Sequence, residues 1–532
     1  MAARSDANPA RWRLPLISWL NGVETGWGMP LLLAGFVAAW TTYLVIAYWG
    51  SGLHPDVLET WTLGRRFEWG YPKHPPLMGW IARGWTSLFP LTDWSLRLMA
   101  MVNAAVALWA VDLIAKRFVT GEKRVVILLL LMLTPVYQFH AQRFNANSVL
   151  LAIWPIATYC FLRSFEERRA TWAIAAGVAT AVAMLGKYYS VFLVSSFVLA
   201  ASLHPARRTY FLSKAPWISV AAGLATLAPH LHWLVATGAE PFDYALAHAR
   251  ASFPAAITEV FFFLTGLAAT MLPAVIAWTF IAGYRLKQWP DEFRAMSSGL
   301  WLLVLIFCGT IALPIATSLV FGTDLPSLWA VQGLFLFVVP AVCCTPYSIS
   351  RFHAVNLAVL AGGASLAAVI VAAPVHAYYR NERGYEEGRN LYRPAAVELT
   401  RLWRETTGTP LQLVSGDDAL AFGAAFYSPD HPYYARPFLY QHTWRIPRKT
   451  TLERGWAALC FADQTDCIAW MRQTAERAGR YVQVKFDAQA ELLGMPGVRR
   501  GIVALLVPPL AEPAPSTSNG SEDFSAIRRA ME

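Results

Sequence analysis

Long apolar stretches alternate with short polar segments over the first 377 residues of the chain. Each stretch approaches the roughly 20 residues that a helix needs to cross a hydrocarbon core. We therefore predict about eleven membrane-spanning helices, within a range of roughly nine to thirteen. Proline lies inside several of them, and membrane helices tolerate it when neighbours satisfy the freed carbonyl groups. The predicted spans are 29–50, 95–115, 124–141, 148–163, 172–187, 189–204, 217–237, 257–284, 299–322, 327–345 and 354–377.

Composition agrees with this pattern. Hydrophobic residues make up 56% of the 532 residues and charged residues 15%, and the mean hydropathy is +0.38. Soluble domains carry about 25% charged residues, so this chain lacks the side chains that cover a water-facing surface. A polytopic helical membrane protein is the predicted fold class.

The distribution of Lys and Arg predicts the orientation. With the N-terminus inside, inner loops hold most cations, among them Lys116, Arg117, Arg207 and Arg208. Residues 1–28 lack the features of a cleavable signal, so we expect a cytoplasmic segment and a retained first span. The loop 51–94 and the region after 377 then lie outside. The net charge of +10 follows from the inner cations, so we expect no nucleic-acid partner.

Charge density becomes ordinary after residue 378, and we predict a small outer α/β domain over 378–510 and a disordered tail over 511–532. Cys460 and Cys467 lie seven apart in it, either as a disulfide or as two free thiols. The predicted elements are a strand and turn at 410–418, a short helix at 418–426, and strands at 481–486 and 501–507.

The first outer loop concentrates charged and aromatic side chains at a membrane surface, where charge indicates function. Asp56 and Glu59 fall on one face of a predicted surface helix, and 75–91 forms a second amphipathic helix. A carboxylate there can accept a proton from a hydroxyl, and cations can hold a phosphate. The competing interpretations are that Asp56 only caps its helix, Glu59 pairs with Arg66, and Lys73 and His74 only reach toward lipid headgroups.

These residues resemble a known family. The run from Asp56 through Trp69-Gly70-Tyr71 to His74-Pro75-Pro76-Leu77 resembles the first periplasmic loop of bacterial GT-C glycosyltransferases of the PMT_2 (family 39-like) type. That group includes protein O-mannosyltransferases, lipid A aminoarabinose transferases and rhizobial galacturonosyltransferases. Two further segments, 185–189 and 424–430, look like motifs of an outer helix end and of the outer domain.

The resemblance implies a GT-C fold and an inverting transferase in the bacterial inner membrane. Its donor would be a polyprenyl-phosphate-linked sugar, and its acceptor an envelope lipid, lipopolysaccharide or a protein. Asp56 takes the place of the proposed general base. The predicted donor-phosphate ligands are Lys73, His74, Lys187, Arg65 and Arg66, and the predicted substrate contacts are Glu59, Trp61, Tyr71, Tyr188 and Tyr189.

Three positions depart from the family pattern: Val57 and Lys73 replace usual acids, and Asn147 lies near a position often held by Asp. The acid that Lys73 replaces is one candidate ligand for a divalent cation in relatives. No cofactor is therefore predicted, and a divalent cation stays an open alternative that Lys73 disfavours. The lysine ammonium can instead supply positive charge against the phosphate.

The sequence is also compatible with two other functions. A transporter or lipid flippase with an outer regulatory domain would carry charged or broken helices near mid-membrane and repeat symmetry. A non-catalytic scaffold would be a degenerate family member. In the outer loop after the seventh span, Asp243, His248 and Arg250 are candidates to line an acceptor path.

Overall fold

The computed structural model describes residues 14–239, 253–435, 451 and 453–510. The chain divides into two compact units. The first comprises Met1–Leu391 together with Gln489–Val498, and the second comprises Tyr392–Ala488 together with Arg499–Glu532.

The described residues of the first unit are mainly helical, and its segment Gln489–Val498 holds the adjoining ends of two strands. Its helices are α1 (Leu14–Thr25), α2 (Gly28–Ala47), α3 (Pro55–Gly64), α4 (Leu77–Leu88), α5 (Asp93–Ala115), α6 (Glu122–Met132), α7 (Leu150–Glu167), α8 (Ala170–Gly186), α9 (Val191–Leu203), α10 (Arg207–Phe211), α11 (Ala215–Ala236), α12 (Phe253–Ala282), α13 (Trp289–Arg294), α14 (Ser298–Phe321), α15 (Phe335–Cys343), α16 (Arg351–Ala367) and α17 (Ala373–Arg383).

Six helical segments in the described residues are long and apolar enough to cross a membrane, by length and composition. Every predicted span overlaps a helix: three of the other five correspond to shorter apolar helices, and the remaining two overlap α6 and α7. The six segments are α2, α5, α11, α12, α14 and the continuous stretch Arg351–Arg383. The prediction of a polytopic helical membrane protein is confirmed.

Several spans differ from the predicted bounds. The span 124–141 is interrupted because α6 ends at Met132, and Pro135 leads into a single π-helical turn at Val136–His140. The span 327–345 begins as two short 3-10 turns, and α15 starts only at Phe335. The last apolar helix continues to Arg383, past the predicted end at 377, and α1 forms within the polar segment 1–28.

The second unit is a small α/β domain. It contains α18 (Tyr392–Thr407), α19 (Asp418–Tyr427) and α20 (Thr465–Glu476). Its sheet has the order β2-β1-β3-β5-β4, with β1 parallel to β2 and β3, and β5 antiparallel to β3. A disulfide between Cys460 and Cys467 joins β3 to α20. The strands are β1 (Leu413–Gly416), β2 (Tyr433–Tyr434), β3 (Trp456–Phe461), β4 (Val482–Leu492) and β5 (Met495–Val507).

This domain confirms the predicted C-terminal α/β fold. The four elements predicted between 410 and 507 correspond to β1, α19, β4 and β5. The sequence pattern did not indicate β3, the central strand, because all six of its residues are buried and show no alternation. The predicted tail 511–532 lies outside the described residues.

The two helices of the first outer loop pack closely in the first unit. Gly64 of α3 approaches the Gly79 backbone so closely that a Cβ on Gly64 would collide with it. A Cβ on Gly79 would in turn collide with the Tyr71 side chain, which is fully buried. The intervening loop therefore has a fixed conformation, because two glycines let two helices and a tyrosine meet.

Candidate active site

Asp56 lies in the first turn of α3, directly after Pro55. Proline is favoured at the start of a helix, and a carboxylate there is stabilised by the helix dipole. The imidazole Nδ1 of His54, the N-cap residue, accepts a hydrogen bond from the Asp56 backbone N–H at 3.2 Å. The Asp56 side chain is 42% exposed, so its carboxylate is accessible to a substrate.

An asparagine fixes the position of the Asp56 carboxylate. Asn145 donates through Nδ2 to Asp56 Oδ2 at 2.8 Å. Its Oδ1 accepts from the backbone N–H groups of Asn147 and Ser148 at 2.9 and 3.0 Å. Because an amide oxygen must face those N–H groups, the amide nitrogen must face the carboxylate. The turn before α7 thus sets the orientation of the acid.

The same turn holds Lys187. The Lys187 ammonium donates to Asn147 Oδ1 and lies 4.1 Å from the centre of the Trp329 ring, a cation–π contact. Lys187 follows the C-terminus of α8, and Trp329 belongs to the 3-10 turns before α15. Asp56 and Lys187 therefore share one site, connected through Asn145 and Asn147.

The environment of Lys187 weakens its hold on a proton. Burial lowers the pKa of Lys187 to about 7, while the charge of Asp56 acts in the opposite direction. The ammonium contacts an amide oxygen and an aromatic ring, and neither of these partners carries a full negative charge. An anion brought to this point would compensate the buried charge.

The turn between α6 and α7 contributes two residues that the sequence did not mark, Arg143 and Asn145. Arg143 lies near His54 and acts to lower the pKa of this histidine. Burial is the main cause that lowers the pKa of His54, to about 4, while Asp56 acts to raise it. Asn145, the residue that contacts the acid directly, also lies here. The signal available in the sequence was a polar run, from His140 to Ser148, between two apolar helices.

Glu59 and Lys73 form an ion pair, with Lys73 Nζ 3.2 Å from Glu59 Oε1. Glu59 was expected to pair with Arg66, and the structure gives it Lys73 instead because the loop folds back over α3. The Glu59 side chain is only 17% exposed. Burial raises the pKa of Glu59, and Lys73 acts to lower the pKa.

The remaining predicted residues of this loop contact one another. Arg65 and Arg66 follow the far end of the ten-residue α3, about 15 Å along the helix from its start. The backbone of His74 closes a turn with Tyr71, and the Tyr71 hydroxyl donates to the Arg66 carbonyl at 3.4 Å. Trp61 is buried, with the Arg65 guanidinium 5.1 Å from its ring centre. Trp61 and Tyr71 thus pack inside the loop.

The two tyrosines after Lys187 have different surroundings. The Tyr188 hydroxyl donates to Nε2 of His230 at 3.1 Å, because His230 Nδ1 donates to the Trp69 carbonyl at 2.5 Å. His230 of α11 thereby anchors the first outer loop beside Lys187. Tyr189 is buried, and its ring stacks on that of Trp154 with the ring centres 6.3 Å apart.

The described residues offer few ligands for a divalent cation. In the described parts of the chain, no three His, Cys, Asp or Glu side chains come together as a metal-binding group. Lys73, at the position where relatives place an acid, is occupied by its ion pair with Glu59. Asp243, His248 and Arg250, the candidates for an acceptor path, lie outside the described residues.

The Glu59–Lys73 pair can be tested by a double-mutant cycle. Lys73→Met leaves a mostly buried carboxylate without its cation, and we expect the free energy of unfolding to fall by roughly 2–3 kcal/mol. Glu59→Gln combined with Lys73→Met should recover most of that loss. The measurement is thermal unfolding of the purified protein in detergent, and equal losses in the single and double variants would contradict the pairing.

Comparison with known proteins identifies the fold and its relatives. Residues 73–233, less than a third of the chain, match the family model PMT_2, dolichyl-phosphate-mannose-protein mannosyltransferase. Asp56 precedes this segment. The lipid A galacturonosyltransferase RgtD of Rhizobium johnstonii is 27% identical over 180 residues, which are 34% of this chain and 37% of that protein. The matched part of the chain therefore spans little more than a third of this curated relative.

Two crystal structures of ArnT from Cupriavidus metallidurans share the fold. The one bound to undecaprenyl phosphate has a TM-score of 0.53 and the apo form 0.54. Each is 15% identical, over 90% of this chain and 98% of that chain. The predicted resemblance is confirmed: this chain has the ArnT-like GT-C fold of a membrane protein, and its residues 73–233 are similar to the PMT_2 family.

Proposed function

We propose that the protein is an inverting glycosyltransferase that moves a sugar from a polyprenyl phosphate to an acceptor hydroxyl. The supporting observation is the placement of one carboxylate, Asp56, and one cation, Lys187, in a single site, held apart by two asparagines. A base and a phosphate ligand are the two groups that this reaction requires. The acceptor is an envelope lipid, lipopolysaccharide or a protein.

Asp56 acts as the base in this mechanism. Its Oδ1 is free of the Asn145 hydrogen bond, which engages Oδ2, so one oxygen remains to accept the acceptor proton. The acceptor oxygen forms a bond to the anomeric carbon as the bond from that carbon to the phosphate oxygen breaks. Attack from the face opposite the phosphate inverts the anomeric configuration. A glycosidase uses two carboxyl groups, whereas here the phosphate departs without being protonated.

Lys187 binds the departing phosphate. Its ammonium is half-buried, and the asparagine and tryptophan that contact it bring no negative charge. The electron pair of the broken bond stays on the phosphate oxygen, where a nearby cation stabilises it. Lys73 and His74 lie on the turn at Tyr71, and Lys73 is already paired with Glu59, so this mechanism assigns the phosphate to Lys187.

The proposed topology follows from the distribution of Lys and Arg. The N-terminus is cytoplasmic in this topology, and the first outer loop and the α/β domain are periplasmic. The reaction would then take place at the outer surface of the bacterial inner membrane. A lipid-linked donor suits that position because its phosphate lies at the headgroup level while its chain remains in the hydrocarbon core.

Replacing the base tests this proposal. In cells that lack the protein, Asp56→Asn should fail to restore a sugar-sized mass lost from envelope lipids or lipopolysaccharide, because removing a general base costs at least about 10²-fold in rate. Mass spectrometry of extracted lipids gives the readout. Asp93→Asn, an acid in the first turn of α5, is the matched control and should restore the mass. Full restoration by Asp56→Asn would refute its role as base.

The pH dependence tests the role of Lys187. Its pKa is lowered to about 7 by burial, so the free enzyme carries the ammonium below that pH and loses it above. The donor phosphodiester keeps its negative charge throughout this range. We therefore expect kcat/KM for the donor to fall as pH rises above about 7, approaching tenfold per pH unit.

Lys187→Arg is the matched variant for this profile, because a guanidinium stays protonated across the range. It should remove the decline above neutral pH, whatever its effect on the maximal rate. Asp56, whose charge faces Lys187, stays unchanged in both proteins. An identical decline in the wild type and in Lys187→Arg would assign the titration to another group.

A further inference from the structure

A second positively charged region lies beside Asp56. A small open cleft is lined by His54, Gln142, Arg97, Arg143 and Arg389, among other residues. Lys187 does not line this cleft. The three arginines come from α5, from the turn between α6 and α7, and from the segment after α17. They converge only in the folded protein, which is why no sequence motif marks them.

Two of these arginines are buried and held by hydrogen bonds or an ion pair. Arg97 and Arg389 are each 7% exposed. Arg97 donates to the Tyr48 and Ser51 carbonyls at 3.3 and 3.2 Å, and Arg389 lies 3.3 Å from the Glu387 carboxylate. Glu387 contacts Arg389 and Asp56 lies beside His54, while Arg97, Arg143 and Arg389 bring three arginines to the cleft.

The two residues at the mouth, Arg143 and Gln142, have side chains without a hydrogen-bond partner among the described residues. Arg143 is exposed, and within the described part of the chain its guanidinium makes no hydrogen bond or ion pair. Gln142 beside it likewise leaves its side-chain amide without a partner among the described residues. A guanidinium fork and an amide donor side by side suit a planar or tetrahedral oxyanion such as carboxylate or phosphate.

The position of the cleft indicates which substrate would bring that anion. Asp56 Oδ2 is bonded to Asn145, which leads through Asn147 to Lys187, while Asp56 Oδ1 lies 3.6 Å from His54 Nδ1 on the cleft wall. Inversion requires the acceptor to approach from the face opposite the leaving phosphate. The donor phosphate at Lys187 and the acceptor beside Asp56 would therefore use different cations.

We propose that this cleft, through Arg143 and Gln142, binds a phosphate or carboxylate group of the acceptor close to the hydroxyl that is glycosylated. This inference rests on the proposed function and narrows its acceptor to an anionic molecule. It assigns the arginine cleft to the acceptor and Lys187 to the donor. Arg143 sets specificity, since a neutral acceptor gains nothing from its guanidinium.

Binding of radiolabelled inorganic phosphate to the full-length protein in detergent at low ionic strength tests the site count. We expect two sites in the wild type and one in either Arg143→Gln or Lys187→Gln. Loss of both requires the double variant. Arg169→Gln, an exposed arginine at the start of α8, is the control and should retain two sites. A wild type with one site, or two sites in Arg143→Gln, would overturn the acceptor subsite.

Transfer kinetics separate the acceptor from the donor as the source of the anion. With bacterial envelope lipid extract as acceptor, Arg143→Gln should raise the apparent KM for acceptor at least about tenfold and leave that for donor unchanged, because a hydrogen bond to a charged group is lost. Arg143→Lys should recover part of the loss. A rise only in the donor KM would place the anion on the donor sugar and refute the proposal.

The catalytic role of Asp56 and the acceptor subsite at Arg143 can be refuted separately. If Lys187→Gln loses a phosphate site and Asp56→Asn loses transfer, but Arg143→Gln changes neither, only the acceptor subsite is wrong. If Asp56→Asn retains full transfer, the proposed catalytic role is wrong even where Arg143→Gln removes a phosphate site.

Discussion

The candidate site depends on keeping one negative and one positive charge close together without letting them pair. Asn145 holds the Asp56 carboxylate and Asn147 holds the Lys187 ammonium, and a backbone N–H of Asn147 links the two amides. A direct ion pair would satisfy both charges and leave neither for a substrate. Neutral amides keep the carboxylate available to a proton and the ammonium available to a phosphate.

The helices bring three connecting segments together at this site. The first loop supplies Asp56, the turn before α7 supplies the asparagines, and the end of α8 supplies Lys187. Close packing makes the arrangement rigid. His230 on α11 donates to the Trp69 carbonyl, and a Cβ on Gly70 would collide with the Trp233 ring. The first loop is thus held against a membrane helix at its Trp-Gly-Tyr motif.

Sequence patterns predicted the fold class, a described helix within each predicted span and four elements of the α/β domain, because apolar runs and alternation act locally. Motifs selected Asp56 and Lys187 as candidates, and the structure places the two in one site. Sequence patterns could not predict Asn145 or Trp329, whose roles come from contacts between residues far apart in the chain. Nor could they pair Glu59 with Lys73, since that depends on how the loop returns over α3. These features depend on contacts between residues far apart in the chain, which local sequence patterns do not encode.

The most direct test of the divided site is an experimental structure of the protein with undecaprenyl phosphate. The account predicts a phosphate oxygen within hydrogen-bonding distance, about 3 Å, of Lys187 Nζ, with the Asp56–Asn145 hydrogen bond preserved. Phosphate bound away from Lys187, or Lys187 paired directly with Asp56, would contradict it.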